Sequence, residues 1–125
     1  MYVTKIYQRG FAMPSTVFAA PILPGKTDAW KAAIEEIKGA RKDEYLQARR
    51  NLGVTKEVAC LQQTPHGDFA VVYIEANDTS KILQDMLDSN DAFHAWFKQA
   101  VLKDCHGIEA GRMEPPANEV FLDLI

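Results

Sequence analysis

TKEVACLQQTPHGDFAVVYIEA, residues 55–76, is the stretch from which the fold is predicted. Two runs rich in strand-forming residues, 55–64 and 68–76, are joined by a short segment in which Pro and Gly favour a tight turn. The stretch therefore predicts a β-hairpin. Its second run carries no polar residue from Phe69 to Ile74. Because a strand alternates apolar and polar residues only when one of its faces meets water, both faces of this sheet are expected to be covered.

Further elements extend from the hairpin in both directions. On its N-terminal side, the apolar run within residues 15–26 predicts a strand that ends in a turn. Helical periodicity then predicts a helix over residues 28–52, with a bend at Gly39. On the C-terminal side, a second helical region is interrupted at residues 88–91, and residues 118–125 are predicted to form the last strand.

The resulting order is β-α-β-β-α-β, the ferredoxin-like α+β pattern, with a four-stranded antiparallel sheet and a second helix split in two. Residues 15–125 are predicted to form this single domain, and residues 1–14 a leader that precedes it. Two helices can cover only one face of such a sheet. Since both faces are apolar, the other face is expected to be covered by a second copy of the chain, which predicts a homodimer through the sheet face.

Several short motifs carry a resemblance to a known superfamily. They are PILPGK (21–26), Arg41 with Glu44-Tyr45, RRNLGVTKE (49–57), LQQTPHGD (61–68), VVYIEA (71–76), FHAWF (93–97) and His106-Gly107. On these motifs the chain resembles the dimeric α+β barrel superfamily and, within it, a family of small uncharacterised bacterial proteins. The resemblance implies two ferredoxin-like protomers whose sheets pair into a closed barrel. Relatives include cofactor-free oxygenases, isomerases and decarboxylases, which hold small aromatic or polyketide-like substrates between the sheet and the helices.

Arg41 raises the main question about the first helix. At about 100° per residue on a straight helix, it lies on the same side as Trp30, which faces the sheet. One interpretation is an internal brace in which Arg41 pairs with Glu57 or Glu75, since an unpaired buried charge is costly. The other is an anion-binding arginine, because a planar guanidinium suits carboxylates. The brace is favoured, and Arg50, on the far side of the helix, is expected in solvent.

The space between helices and sheet, where the resemblance implies a substrate, would be lined by aromatic side chains and one cation. The candidate ligand-binding residues are Trp30, Arg41, Tyr45, Trp96 and Phe97, and the ligand that they suit is a small aromatic or anionic molecule. His94 borders the second apolar stripe. It is there either as a structural residue or as a candidate catalytic residue, a general base that works near neutral pH.

The cysteines and histidines show no metal-ligand spacing, so neither a metal nor a cofactor is predicted. Cys60 and Cys105 lie 45 positions apart, and Cys60, inside an apolar run, is expected to be a buried thiol. A formal net charge of −3 with scattered basic residues argues against a nucleic-acid partner.

Neither a membrane span nor an export signal is predicted. No stretch reaches the roughly 18–20 apolar residues that a membrane span requires. Residues 1–23 loosely imitate a signal peptide, but polar residues interrupt their apolar part and no cleavage site follows. A cytoplasmic protein is therefore expected.

Two functions stay open at this point. One is a cofactor-free enzyme, of oxygenase or isomerase type, that acts on a small aromatic or carboxylated metabolite. The other is a non-catalytic dimeric module for ligand binding or a stress-associated role, because one fold supports many functions. An open pocket beside Arg41 would favour the enzyme, whereas a filled space with Arg41 paired to a carboxylate would favour the module.

Overall fold

The computed structural model describes residues 14–109 and 118–124 of the chain. Its strands are β1 (Ser15–Pro21), β2 (Val54–Thr64) and β3 (Gly67–Ala76). Its helices are α1 (Thr27–Lys38), α2 (Lys42–Asn51), α3 (Ile82–Asp88) and α4 (Ala92–Phe97), and α4 continues through a π-helical stretch (Lys98–Lys103) into the short α5 (Asp104–His106). The predicted leader lies outside the described residues, apart from Pro14.

The sheet is antiparallel, with the strand order β1-β3-β2. β3 is central, because it pairs with β2 across the predicted hairpin and with β1 along its other edge. In the described part of the chain the sheet has three strands. The prediction of a four-stranded ferredoxin-like sheet with the order β-α-β-β-α-β is therefore wrong.

The predicted fourth strand falls on residues 118–125, of which 118–124 are described. These residues form no strand, and each of them is exposed. Asn118 contacts β1, but through its side chain, which donates to the Val17 carbonyl and to Thr16 Oγ1 (3.2 Å). An apolar run becomes a strand only when its backbone pairs with a neighbouring strand, and this pairing depends on contacts that its own sequence does not contain.

Both predicted helices are interrupted. Gly39 and Ala40 separate α1 from α2, and Arg41 precedes the first turn of α2. Gly39 has a low helix propensity, and its backbone leaves the helical region (φ −110°, ψ −101°). The second region is split between α3 and α4, where the Asp91 side chain caps α4 by accepting a hydrogen bond from the His94 backbone N–H (2.7 Å).

The hydrophobic core lies between the helices and one face of the sheet, which we call the covered face. Trp30 of α1 packs in one cluster with Ala70 of β3 and Val101 of the π-helical stretch. Ile82 packs in a second cluster with Ile74 of β3. Ala70 and Ile74 are an even number of residues apart, so they point to the same side of the strand.

A register shift in β2 decides which of its side chains reach the core. Val54 pairs with Ala76, and Glu57 pairs with Ile74 after a shift between Val54 and Lys56. In a regular strand, residues three positions apart point to opposite faces. The shift places both Val54 and Glu57 on the covered face, and it thereby brings a carboxylate under the helices.

Candidate functional site

Arg49, on the inward side of α2, is a buried charge, with 8% of its side chain exposed. Its Nε donates to Glu57 Oε1 at 2.8 Å. Its Nη1 lies 3.7 Å from Met86 Sδ and 3.3 Å from His94 Nε2. The guanidinium therefore ties α2 to β2, α3 and α4. A buried arginine in this position stabilises the fold only while its partners are present, because an unpaired buried charge is strongly unfavourable.

Glu57 is the anion that balances this charge. Its Oε1 accepts hydrogen bonds from both Arg49 Nε and the Tyr45 hydroxyl, the latter at 2.7 Å. Burial raises the pKa of Tyr45, and the negative charge of Glu57 raises it further. The phenol is therefore protonated at neutral pH and acts as a donor to the carboxylate.

His94 continues the network on the other side of Arg49. Its side chain is 1% exposed, and its Nδ1 lies 2.9 Å from Asp91 Oδ2 and 2.8 Å from Ser89 Oγ. A guanidinium has no acceptor, so the contact with Arg49 makes His94 Nε2 the acceptor and leaves the ring hydrogen on Nδ1. Burial lowers the pKa of His94, and the charge of Arg49 lowers it as well, although Asp91 acts in the opposite direction. The imidazole is thus held neutral in one tautomer.

Aromatic rings enclose the guanidinium. The Arg49 Cζ atom lies 5.0 Å from the ring centroid of Phe97, 5.2 Å from that of Tyr45 and 5.7 Å from that of Phe93. These distances are within the range of about 6 Å over which a cation is attracted to a ring face. The Phe93 centroid in turn lies 5.8 Å from that of Trp96. These aromatic side chains therefore surround the guanidinium in the region where a substrate was expected.

Most of the predicted ligand-binding residues lie close together, where they pack against one another and around the Arg49 guanidinium. Tyr45, Phe97 and the catalytic candidate His94 contact the buried guanidinium. Trp30 is buried in the neighbouring hydrophobic cluster, against which Trp96 and Phe97 also pack.

Arg41 lies apart from this network, where α1 meets α2 at the surface. It pairs with Glu36 and with Glu44 (2.7 Å to Oε1), and 29% of its side chain is exposed. Its Cζ atom lies 4.3 Å from the ring centroid of Trp96. The prediction that Arg41 faces the sheet and pairs with a strand carboxylate is wrong, because Arg49 holds Glu57.

The helix break at Gly39 explains why Arg49 takes the place predicted for Arg41. A helical bearing counted through Gly39 points Arg41 inward, whereas α2 is a separate helix with its own axis. The buried residues of α2 are Ala48 and Arg49, and Arg50 is exposed as predicted. Arg49 could have been identified by counting the helical positions of α2 separately from those of α1. Residues 48 and 49 lie three and four positions after Tyr45, so all three share one side of α2.

The face of the sheet opposite the helices, which we call the open sheet face, is the second notable surface. By strand register its side chains are Ser15, Val17, Ala19, Pro21, Lys56, Val58, Cys60, Gln62, Phe69, Val71, Tyr73 and Glu75. None of them belongs to a hydrophobic cluster of the described residues. Val17 and Val58 are 48% and 41% exposed. Cys60, predicted to be buried, is exposed here, because it alternates with Leu61, which points to the core.

Residues 14–109 and 118–124 contain no group of three or more His, Cys, Asp or Glu side chains that could hold a metal ion. Within the same ranges, no helix has the length and apolar character needed to cross a membrane. Comparisons of the chain with protein-family models, with curated proteins and with solved structures found no match.

Proposed function

We propose that the chain is a non-catalytic binding module that works as a homodimer, in which a second copy covers the open sheet face. The apolar character of that face carries the proposal, since Val17 and Val58 remain 48% and 41% exposed in the single chain. Burying apolar surface contributes about 25 cal/mol per Å², and a contiguous apolar patch is typical of an interaction site. An interface that replaces half of a core is expected to bury roughly 2,000 Å² or more.

The contacts of Arg41 and His94 support a binding role over a catalytic one. Arg41 is already paired with two carboxylates, so its charge is not directed at a ligand. Both ring nitrogens of His94 have partners, and its side chain is 1% exposed. A substrate that bound His94 Nε2 would have to replace Arg49 Nη1, which lies 3.3 Å from this nitrogen.

Two further points belong to this proposal. The feature that the chain would share with the dimeric α+β barrel superfamily is the packing of the sheet faces of two copies against each other. The proposed compartment is the cytoplasm, since Cys60 and Cys105 are both free thiols, and thiols stay reduced there.

Sedimentation equilibrium of the wild type and of Val58→Asp tests the proposal. We expect the wild type to have the mass of two chains at micromolar concentration. Val58→Asp should have the mass of one chain, because a carboxylate buried in an apolar interface without a partner is strongly unfavourable. Its circular dichroism should match that of the wild type, since position 58 is exposed in the single chain.

Leu46→Asp is the matched control, because Leu46 is 38% exposed on α2, away from the open sheet face. This variant should remain a dimer. A monomeric wild type would overturn the proposal. A dimer that Val58→Asp leaves intact would do the same, since the copies would then meet through another surface.

A second candidate is a cofactor-free oxygenase or isomerase for a small aromatic or carboxylated metabolite. One observation favours it: Asp91 lies 2.9 Å from His94 Nδ1, as a carboxylate that orients a general base does. His94 Nε2 would then take the proton after Arg49 turns to the substrate carboxylate. Titration with benzoate, followed by NMR of the His94 ring, tests this. Saturable changes in the His94 chemical shifts that are absent in folded Arg49→Met, measured without urea, would support the enzyme. Chemical shifts that benzoate does not change would contradict it.

A further inference from the structure

The contact between Arg49 of α2 and His94 of α4 depends on the protonation state of the imidazole. Arg49 Nη1 lies 3.3 Å from His94 Nε2. A guanidinium can only donate, so the contact requires the lone pair of a neutral ring. A proton on Nε2 would turn this acceptor into a second donor. It would also place two positive charges side by side, where 8% of the Arg49 side chain and 1% of the His94 side chain are exposed.

Two cations from different elements oppose a positive charge on the His94 ring. Arg49 projects from α2, and Lys98 lies in the π-helical stretch, where its Nζ donates to the carbonyls of Leu87 and Ser89, both at 2.9 Å. Burial lowers the pKa of His94 most strongly, and the charges of Arg49 and Lys98 lower it further. The ring is therefore neutral while α4 rests against α2.

The carboxylates near His94 act on the ring from a different side. Asp91 Oδ2 lies 2.9 Å from His94 Nδ1, and 39% of the Asp91 side chain is exposed. From α3, the carboxylates of Asp85 and Asp88 are exposed. From β2, Glu57 is already the partner of Arg49. A proton on the ring therefore strengthens its contact with Asp91 and abolishes its contact with Arg49.

Each side of the lost contact keeps hydrogen-bond partners of its own. Arg49 Nε remains with Glu57 Oε1 at 2.8 Å, and the protonated phenol of Tyr45 donates to the same oxygen at 2.7 Å. The other carboxylate oxygen of Asp91 accepts from the His94 backbone N–H at the start of α4. The loss therefore falls between α2 and α4, and not within either helix.

The two ends of α4 allow it to shift relative to α2. Ser89 and Asp91, which link α4 to α3, have extended backbone with ψ of 140° and 158°. At its other end α4 passes into the π-helical stretch, and π-helical turns within α-helices are frequent at functional sites. Since α4 does not continue as a regular α-helix at either end, it can move without carrying α3 with it.

We propose that the contact between Arg49 and His94 is an acid-sensitive latch, which releases α4 from α2 when His94 is protonated while the sheet stays paired. The interface that opens contains the edge-to-face pair of Tyr45 and Phe93, whose ring centroids lie 5.7 Å apart. The backbone hydrogen bonds of the sheet involve no titratable group, so they persist. Because the latch lies on the covered face, it is independent of the proposed homodimer.

NMR of the wild type from about pH 7.5 to about pH 5 tests the latch, because this range brackets the ordinary pKa of histidine near 6.5. The His94 ring protons report its protonation. Nuclear Overhauser effects between the rings of Tyr45 and Phe93 report the α2–α4 contact, and those between the backbones of Val17 and Tyr73 report the sheet. We expect the ring–ring effects to disappear with the midpoint of the His94 titration, and the sheet effects to remain.

Three results in the wild type would overturn the latch. One is a ring that stays neutral down to about pH 5, since the contact would then never be broken by acid. Another is the persistence of the Tyr45–Phe93 effects after His94 is protonated. The third is the simultaneous loss of the ring–ring and sheet effects, because that is unfolding of the whole chain.

Asp91→Asn tests whether the charge on His94 controls the opening. Asparagine is as good an N-cap as aspartate, so α4 keeps its cap, but the carboxylate that favours a charged ring is gone. The midpoint of opening should therefore move to lower pH. Asp85→Asn removes an exposed carboxylate of α3 and is the matched control, whose midpoint should equal that of the wild type. Equal midpoints in all three proteins would overturn the latch.

His94→Gln removes the titratable group and retains an acceptor, because the glutamine carbonyl can accept a hydrogen bond from Arg49. The Tyr45–Phe93 effects should then persist to about pH 5. His106, whose pKa is also lowered by burial, is unchanged in this variant. Loss of the ring–ring effects at the wild-type midpoint in His94→Gln would assign the opening to another group and overturn the latch.

Discussion

The covered face and the open sheet face belong to the same three strands, yet their side chains differ in what they contact. The covered face is completed within one chain by aromatic side chains and by an ion pair between Arg49 and Glu57 with 8% and 14% of the two side chains exposed. The open face carries Val17, Val58 and Cys60 in exposed positions. The difference indicates that a polar network can be buried when one chain supplies every partner, whereas apolar residues on a face without helices stay exposed in the single chain.

The two faces are therefore expected to respond to different experiments. Substitutions on the covered face should change the stability of one copy and leave association alone. Substitutions on the open face should change association and leave the stability of one copy nearly unaltered. The predictions below test this separation, from the largest expected effect to the smallest.

Replacing Arg49 by Met should have the largest effect. The substitution preserves much of the side-chain length but leaves Glu57, 14% exposed, without its cation. Breaking a buried pair by removing one partner costs about 3–5 kcal/mol, so the free energy of unfolding in urea should fall by that amount. Measurements on the Val58→Asp background exclude any contribution from association.

The double variant Arg49→Met with Glu57→Gln serves as the check on that interpretation. The double variant should regain part of the free energy of unfolding that Arg49→Met loses, because it no longer contains a buried carboxylate without a cation. A single Arg49→Met variant that loses less than about 1 kcal/mol would contradict the description of Arg49 as a buried brace, since that is the range of a surface pair.

The open face should make thermal stability depend on protein concentration. If folding is coupled to dimerisation, each tenfold increase in concentration adds about 1.4 kcal/mol per dimer to the free energy of unfolding. The wild-type melting temperature should therefore rise with concentration, and that of Val58→Asp should stay constant. If the wild-type melting temperature stays constant over about a hundredfold range of protein concentration, the proposed dimer is contradicted.

His94 should make the covered face sensitive to acid, with a smaller effect than the loss of Arg49. Burial, assisted by the charge of Arg49, lowers the pKa of His94 in the folded chain. The unfolded chain then binds the proton more readily, so the free energy of unfolding should decrease as pH falls below about 6.5 toward the lower pKa of the folded state. Denaturation of the wild type in urea at several pH values measures this slope.

The comparison of His94→Gln with His66→Gln isolates the contribution of His94. His66 is exposed in the hairpin turn, so His66→Gln is the control for the loss of a histidine outside the covered face. His94→Gln should reduce the slope without abolishing it, because burial also lowers the pKa of His106. An identical slope in His94→Gln and the wild type would show that His94 does not titrate in this way.

Arg41→Met should have the smallest effect. Arg41 pairs with Glu36 and Glu44 at the surface, where solvent screens ion pairs. The free energy of unfolding should fall far less than in Arg49→Met, and high salt should reduce the difference between the variant and the wild type further. A loss comparable to that of Arg49→Met would contradict the separation of the two arginines.

The site was only partly predictable from the sequence. The aromatic residues Trp96 and Phe97 were found by helical periodicity, because each lies on a stripe whose burial depends on its own helix. Arg49 was missed, because its burial depends on the axis of α2 after the break at Gly39. Two helices joined by a glycine turn can have many relative orientations, and the sequence pattern of either helix does not select one.

What the sequence by itself determined are the features that act over a few neighbouring residues. The hairpin turn between β2 and β3 and the helix break at Gly39 follow from the preferences of Pro and Gly. The apolar character of both faces of β3 likewise follows from composition.

Tertiary structure alone decided whether residues 118–124 form a strand and which residue pairs with Glu57. Residues 118–124 have the composition of a strand, but they are not paired with β1. The shift in register between Val54 and Lys56 brought Glu57 to the covered face, where it met Arg49. Strand pairing and the burial of charge are contacts between distant parts of the chain, and their free energies depend on what stands opposite, which no local pattern contains.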